Sequence, residues 1–137
     1  AEATSSSMAS VLGLDREQVE LLCNDARQDE TLQVANLLCP GNIVVSGHRA
    51  ACERVADAAT AAGAMKVIPL PVAGAFHTSL MRPAVDRLRA DGYDGWLVFE
   101  HEKRWHPELE DPSVAFPAFV QWARQMLARP VSSAARR

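Results

Sequence analysis

The sequence predicts an α+β fold, a βαββαβ unit followed by a helix and a C-terminal strand-helix appendage. Three observations predict it. Two segments place apolar residues at helical spacing, at Val19, Leu22, Cys23, Ala26 and at Cys52, Val55, Ala59, Ala62. Four short segments rich in Val, Ile and Leu are bounded by turn residues, as strands are. A final segment, Trp96 to Met126, carries all three tryptophans and has a different character from what precedes it.

Taken in order, Met8 to Leu14 reads as the first strand. Asp15 stands where an N-cap is wanted, and Gln18 follows three residues on, a pairing that opens the first helix. Leu32 to Leu38 is a second strand. The turn residues Cys39-Pro40-Gly41-Asn42 join it to a third at Ile43 to Ser46, forming a hairpin. The second helix runs from about His48 to Ala62, with Gly63 as its natural stop. The fourth strand, Met65 to Val72, holds Pro69 and Pro71, which suit an edge better than a central ladder position. This order is the ferredoxin-like split βαβ arrangement.

Leu80, Met81, Ala84, Val85 and Leu88 mark one face of a third helix. After a turn-rich join at Asp91 to Gly95, Trp96 to Phe99 reads as a strand. Asp111 and Pro112 then start a last helix, which is expected to restart at Pro117 because proline cannot donate to the preceding turn. The expected organisation is a disordered start over 1–7, a ferredoxin-like unit over 8–76, a helix over 77–90, a strand-helix unit over 91–129 and a disordered tail over 130–137.

The chain of 137 residues suffices for one ordinary domain, or a small one with an appendage. With 14 Lys and Arg against 17 Asp and Glu, all dispersed, it carries no basic surface for nucleic acid. No segment approaches a membrane span. Three unclustered cysteines, Cys23, Cys39 and Cys52, suggest a reducing compartment, so the expected location is the cytoplasm.

The run Val72-Ala73-Gly74-Ala75-Phe76-His77-Thr78-Ser79-Leu80-Met81 holds the main candidate site. It sets a histidine between a strand end and a helix, where packing fixes the backbone and the loop stays open. Imidazole is suited to proton transfer near neutral pH. Ser46 and Ser79 are the nearby hydroxyls that could serve as nucleophile, and Ser79, two residues after His77, has no strand-helix elbow to lift it. His48 starts a helix, where a neutral capping or solvated role is expected. His106 lies in a loop and reads as solvated, and Cys39, with no cation beside it, reads as structural.

From Met8 to about Leu88 the chain resembles the malonyl-CoA:acyl-carrier-protein transacylase family. Met8-Ala9-Ser10-Val11-Leu12-Gly13-Leu14, Val34-Ala35-Asn36, Pro40 to His48 and Ile68 to Ala84 carry the resemblance. It implies transfer of a malonyl group from coenzyme A to the phosphopantetheine thiol of acyl carrier protein, as in fatty-acid or polyketide synthesis. It implies His77 as general base and Asn36 as an acyl-pocket residue, with no cofactor. Two positions depart from the family pattern, Leu38 and Asn42. No G-x-S-x-G nucleophile motif occurs, and the arginine that pairs the malonyl carboxylate is also missing. The resemblance therefore implies a fragment that is inactive alone. Within this chain taken by itself, the plainer reading of His77 is a loop histidine left from an incomplete site.

The residues from Gly92 to Glu102, with Glu108 to Pro112 and the final helix, resemble the last β/α unit of sugar-phosphate isomerase and epimerase TIM barrels. That resemblance implies Glu100 or Glu102 as a metal ligand. Strand alternation would set His101 on the opposite face, so a solvated strand end is the simpler reading. The two resemblances meet near Asp91, as in a chimera. Two alternatives to the transacylase fragment follow: a non-catalytic module that binds an acyl carrier or partner subunit, and a remnant of a metal-dependent isomerase. An exposed apolar face, left where the unit would meet a larger subdomain, would favour self-association.

Overall fold

A computed structural model of the chain describes residues 5–101, 103–104 and 107–128. Its elements are β1 (Ser6–Leu12), α1 (Arg16–Arg27), β2 (Leu32–Cys39), β3 (Asn42–His48), α2 (Arg49–Ala61), β4 (Lys66–Pro69), α3 (Arg82–Ala90) and α4 (Pro112–Ala128), with one 3-10 turn at Ser79–Met81. They form two compact units, Ala1–Pro83 and Ala84–Arg137. The division falls inside α3, whereas the sequence changes character near Asp91.

The first unit is the βαββαβ arrangement. Its sheet has the order β2-β3-β1-β4, every pair antiparallel. β4 is an edge strand ended by Pro69, which needs no ladder partner for the N–H it lacks. β1 begins at Ser6, earlier than the sequence suggests, because Ser6 and Ser7 pair with His48 and Gly47. These two residues are therefore ordered, not part of a disordered start.

α1 and α2 pack their apolar stripes on one face of the sheet. Val19, Cys23 and Ala26 meet Ala51, Cys52, Val55 and Ala59 over Ala9, Val11, Ile43 and Val45. Burying such side chains contributes ~1.5–3 kcal/mol each for the larger ones, which drives the assembly. Ala62 does not join the stripe. It is the exposed C-cap of α2, one turn beyond the core, and Gly63 follows it at φ +92°. The Asp15 capping box forms as the sequence suggests: Asp15 Oδ1 accepts from the Gln18 N–H at 2.8 Å, and Gln18 Oε1 accepts from the Asp15 N–H at 3.0 Å. Arg54 ties the helices together, donating to the Ala26 carbonyl at the end of α1 at 2.8 Å and pairing with Glu30 at 2.6 Å.

The second unit departs from expectation at two places. Trp96 to Phe99 forms no strand: the sheet is complete with four strands of the first unit, and an extended segment without a ladder partner is not a strand. Trp96 is 90% exposed there. α4 runs unbroken through Pro117 instead of restarting, so loss of one N–H donor is tolerated within a seventeen-residue helix. Its start is as expected, with Asp111 Oδ1 accepting from the Ser113 N–H at 2.9 Å. These bonds from the Ser113 hydroxyl and main chain hold the Asp111 carboxyl below its usual range. Phe99 stacks on Phe119 with ring centroids 4.6 Å apart.

Candidate functional site

The face of the sheet turned away from α1 and α2 builds the site. Side chains of directly paired residues share a face, so its membership follows from the register. Ser46 on β3 lies between Met8 on β1 and Gln33 on β2. The next row on the same face is Asn36, Val44, Ser10 and Ile68. Met8, Ser10, Val44 and Ser46 are all buried although no helix of the apolar cluster covers them.

Asn36 reaches this face through a β-bulge. Gln33 pairs with Ser46, Val34 with Val45, and then Asn36 with Val44, so Ala35 is the extra residue. In a regular strand Asn36 would point with Val34 toward the helices. The bulge turns it to the side of Gln33, and Leu37 returns to the core opposite Ile43. Asn36 is therefore a ladder residue of the β2–β3 hairpin on the helix-free face.

The segment after β4 crosses toward this face. The Leu70 N–H donates to the Met8 carbonyl at 2.9 Å, and Ala75 is buried to 1% exposure. Thr78 Oγ1 donates to the Ala75 carbonyl at 2.7 Å and accepts from the Leu80 N–H at 3.2 Å, closing a small loop. Phe76 and His77 project from that loop, and both are exposed. His77 has φ +61°, the left-handed region that only glycine enters without cost. Its carbonyl accepts a hydrogen bond from Gln33 Nε2 at 3.0 Å. Gln33, a residue the sequence does not single out, thus holds the main chain of the His77 loop at the face that Asn36 lines. Only the ladder register reveals Gln33, because the bond joins residues 44 apart in the chain.

The remaining candidates stand apart. Ser46 has no exposed surface and its hydroxyl has no partner among the described residues, so no substrate reaches it. Ser79 is exposed and opens the 3-10 turn. His48 is the N-cap residue of α2, but its ring makes no cap and instead meets the residue just before β2. Nδ1 accepts a hydrogen bond from the Thr31 N–H at 2.9 Å.

Cys39 ends β2 and is exposed, unlike Cys23 and Cys52. Burial pushes the Cys23 thiol up to about 12 and the Cys52 thiol up to about 11. Both are therefore unreactive at neutral pH. Glu100 is exposed on a segment without a ladder, so strand alternation does not govern its neighbours. His101 packs edge-on against Phe99 and Phe116. Among the described residues no three His, Cys, Asp or Glu side chains gather as a metal site. Glu102 and His106 lie outside the described residues. No described helix is long and apolar enough to cross a membrane.

No protein-family model matches the chain. Known proteins do. The chain is 46% identical over 77 residues to the malonyl CoA-acyl carrier protein transacylase of Staphylococcus aureus, covering 56% of this chain and 25% of that protein. It spans about a quarter of the length of the curated relatives it matches. Among solved structures, an acyl carrier protein S-malonyltransferase from Vibrio cholerae superposes with TM-score 0.61 at 35% identity, over 66% of this chain and 30% of its own. The malonyl CoA-acyl carrier protein transacylase of Coxiella burnetii superposes with TM-score 0.64 at 26% identity, over 96% of this chain and 42% of its own. The likeness to this family thus extends into the second unit, beyond the stretch that carries the sequence motifs.

Proposed function

We propose that these residues form the base-bearing part of a malonyl-CoA:acyl-carrier-protein transacylase, with His77 as general base and Asn36 on the wall of the acyl pocket. One observation carries the reading. The run from Ile68 to Ala84 that marks the resemblance is the segment that displays His77, exposed and in a fixed left-handed conformation, on the face that Asn36 also lines.

In the proposed reaction His77 takes the proton of a serine hydroxyl as the oxygen attacks the malonyl thioester. Coenzyme A leaves as its thiol, and the carrier's thiol then displaces the serine from the acyl-enzyme. That serine must come from residues other than these 137, which hold no G-x-S-x-G elbow. The nucleophile, base and oxyanion donors act as a unit, so this chain alone should form no malonyl adduct. The substrates proposed are malonyl-CoA and acyl carrier protein, and the compartment the cytoplasm.

The test is a chimera in which this chain's matching stretch replaces that of the S. aureus transacylase. Malonyl transfer to the carrier should be restored, and His77→Ala should lower it roughly 10²–10⁴-fold, the span of a general base. A folded chimera without transfer, or one indifferent to His77→Ala, would refute the assignment. An intact-mass shift of one malonyl group on the isolated chain would refute the need for an outside nucleophile.

A further inference from the structure

We infer that Gln33 is a positioning residue for His77, an inference that rests on the transacylase reading for its functional meaning. His77 holds a left-handed backbone at φ +61°, which an L-residue adopts only when its surroundings over-determine it. Two constraints are local. Ala75 is an anchor at 1% exposure, and the Thr78 hydroxyl closes the loop onto the Ala75 carbonyl at 2.7 Å. Neither fixes the peptide group that follows His77. The third constraint does so: Gln33 Nε2 donates to the His77 carbonyl at 3.0 Å.

Gln33 can do this because of where β2 sets it. Its partner Ser46 is fully buried in the sheet interior, so the Gln33 Cα is fixed by the ladder and its side chain leaves on the helix-free face. The bond joins an edge strand to a loop 44 residues away. It fixes the plane of the peptide group, and therefore the direction in which the imidazole projects, without touching the ring. An amide donor is required: a carboxylate of the same length has no N–H and would repel the carbonyl.

The experiment is ¹⁵N relaxation on the full chain. The His77 amide should have an order parameter near about 0.85 in the parent and below about 0.6 in Gln33→Ala and Gln33→Glu. Gln33→Arg, which restores N–H donors, should recover the parent value, a rescue that a merely space-filling role would not give. Amides of Val11, Val45 and Val55 serve as controls and should not change. An unchanged His77 order parameter in Gln33→Glu, or a failure of Gln33→Arg to recover it, overturns the inference. The measurement involves no acyl chemistry. A negative result here leaves the transacylase reading standing, and an inert chimera leaves this result standing.

Discussion

Replacing His77 by Gly should stabilise the fold, and replacing it by Ala should not. Both changes remove an exposed imidazole, so the comparison isolates the backbone. A side-chain-bearing residue at φ +61° costs ~1–2 kcal/mol that glycine does not pay. Glycine in turn loses ~0.4–1 kcal/mol more conformational entropy on folding. The expected gain of His77→Gly over His77→Ala is the difference, about 0.5–1 kcal/mol. A compact unit of this size shifts its midpoint by roughly 4–8 °C per kcal/mol, so the two variants should melt about 2–8 °C apart. Thermal unfolding followed by circular dichroism reads this directly. The Gln33 bond goes to the main-chain carbonyl and is available in both variants. Equal midpoints, or a lower midpoint for Gly, would refute the claim that backbone strain is held at this position. The more stable glycine variant of the chimera should still lack malonyl transfer, because in the proposed reaction the imidazole it removes is the base.

The sheet and core yield further expectations. Deleting Ala35 removes the bulge and leaves Asn36 directly after Val34 and still opposite Val44 on the helix-free face, so urea unfolding should show no loss on the scale of burying an unpaired amide, about 1–3 kcal/mol; a loss of that size would contradict the register. Ser46→Ala removes a buried hydroxyl with no partner among the described residues and should raise stability by about 1 kcal/mol, checked by the same urea titration. Cys23 and Cys52 are held protonated in the fold, at about 12 and about 11 against 9.0 for an ordinary thiol, chiefly by burial. The folded state therefore keeps protons the unfolded chain gives up, and stability should fall as pH rises from 9 toward 11; the double change Cys23→Ala with Cys52→Ala should flatten that slope. Trp96 and Val98, 90% and 78% exposed, should promote self-association, seen as concentration-dependent elution in size exclusion and reduced by Trp96→Ser.

Much of the first unit could be read along the chain because its signals are local. The Asp15–Gln18 capping pair, the Val19–Cys23–Ala26 stripe and the Gly63 stop each involve residues within one or two helical turns. The edge position of the fourth strand followed from proline chemistry. His77 was legible as a candidate because a long motif surrounds it. The strand at Trp96 to Phe99 was misread for the opposite reason: β-rich composition supplies a propensity, but a strand needs a partner to accept its hydrogen bonds. The restart at Pro117 was misread because a missing donor weakens a helix without obliging it to end.

The sequence by itself determined the βαββαβ order of the first unit, the helix that each apolar stripe buries, and the histidine on which the functional reading turns. Only the tertiary structure decided that Asn36 lies on the helix-free face and that Gln33 holds the His77 carbonyl there. Side-chain direction in a strand has a period of two, so the bulge at Ala35 reverses the directions of Asn36 and Leu37. That reversal is set by pairing with β3, and the Gln33 bond by a loop 44 residues away. Both are contacts between distant parts of the chain, which spacing along it does not encode.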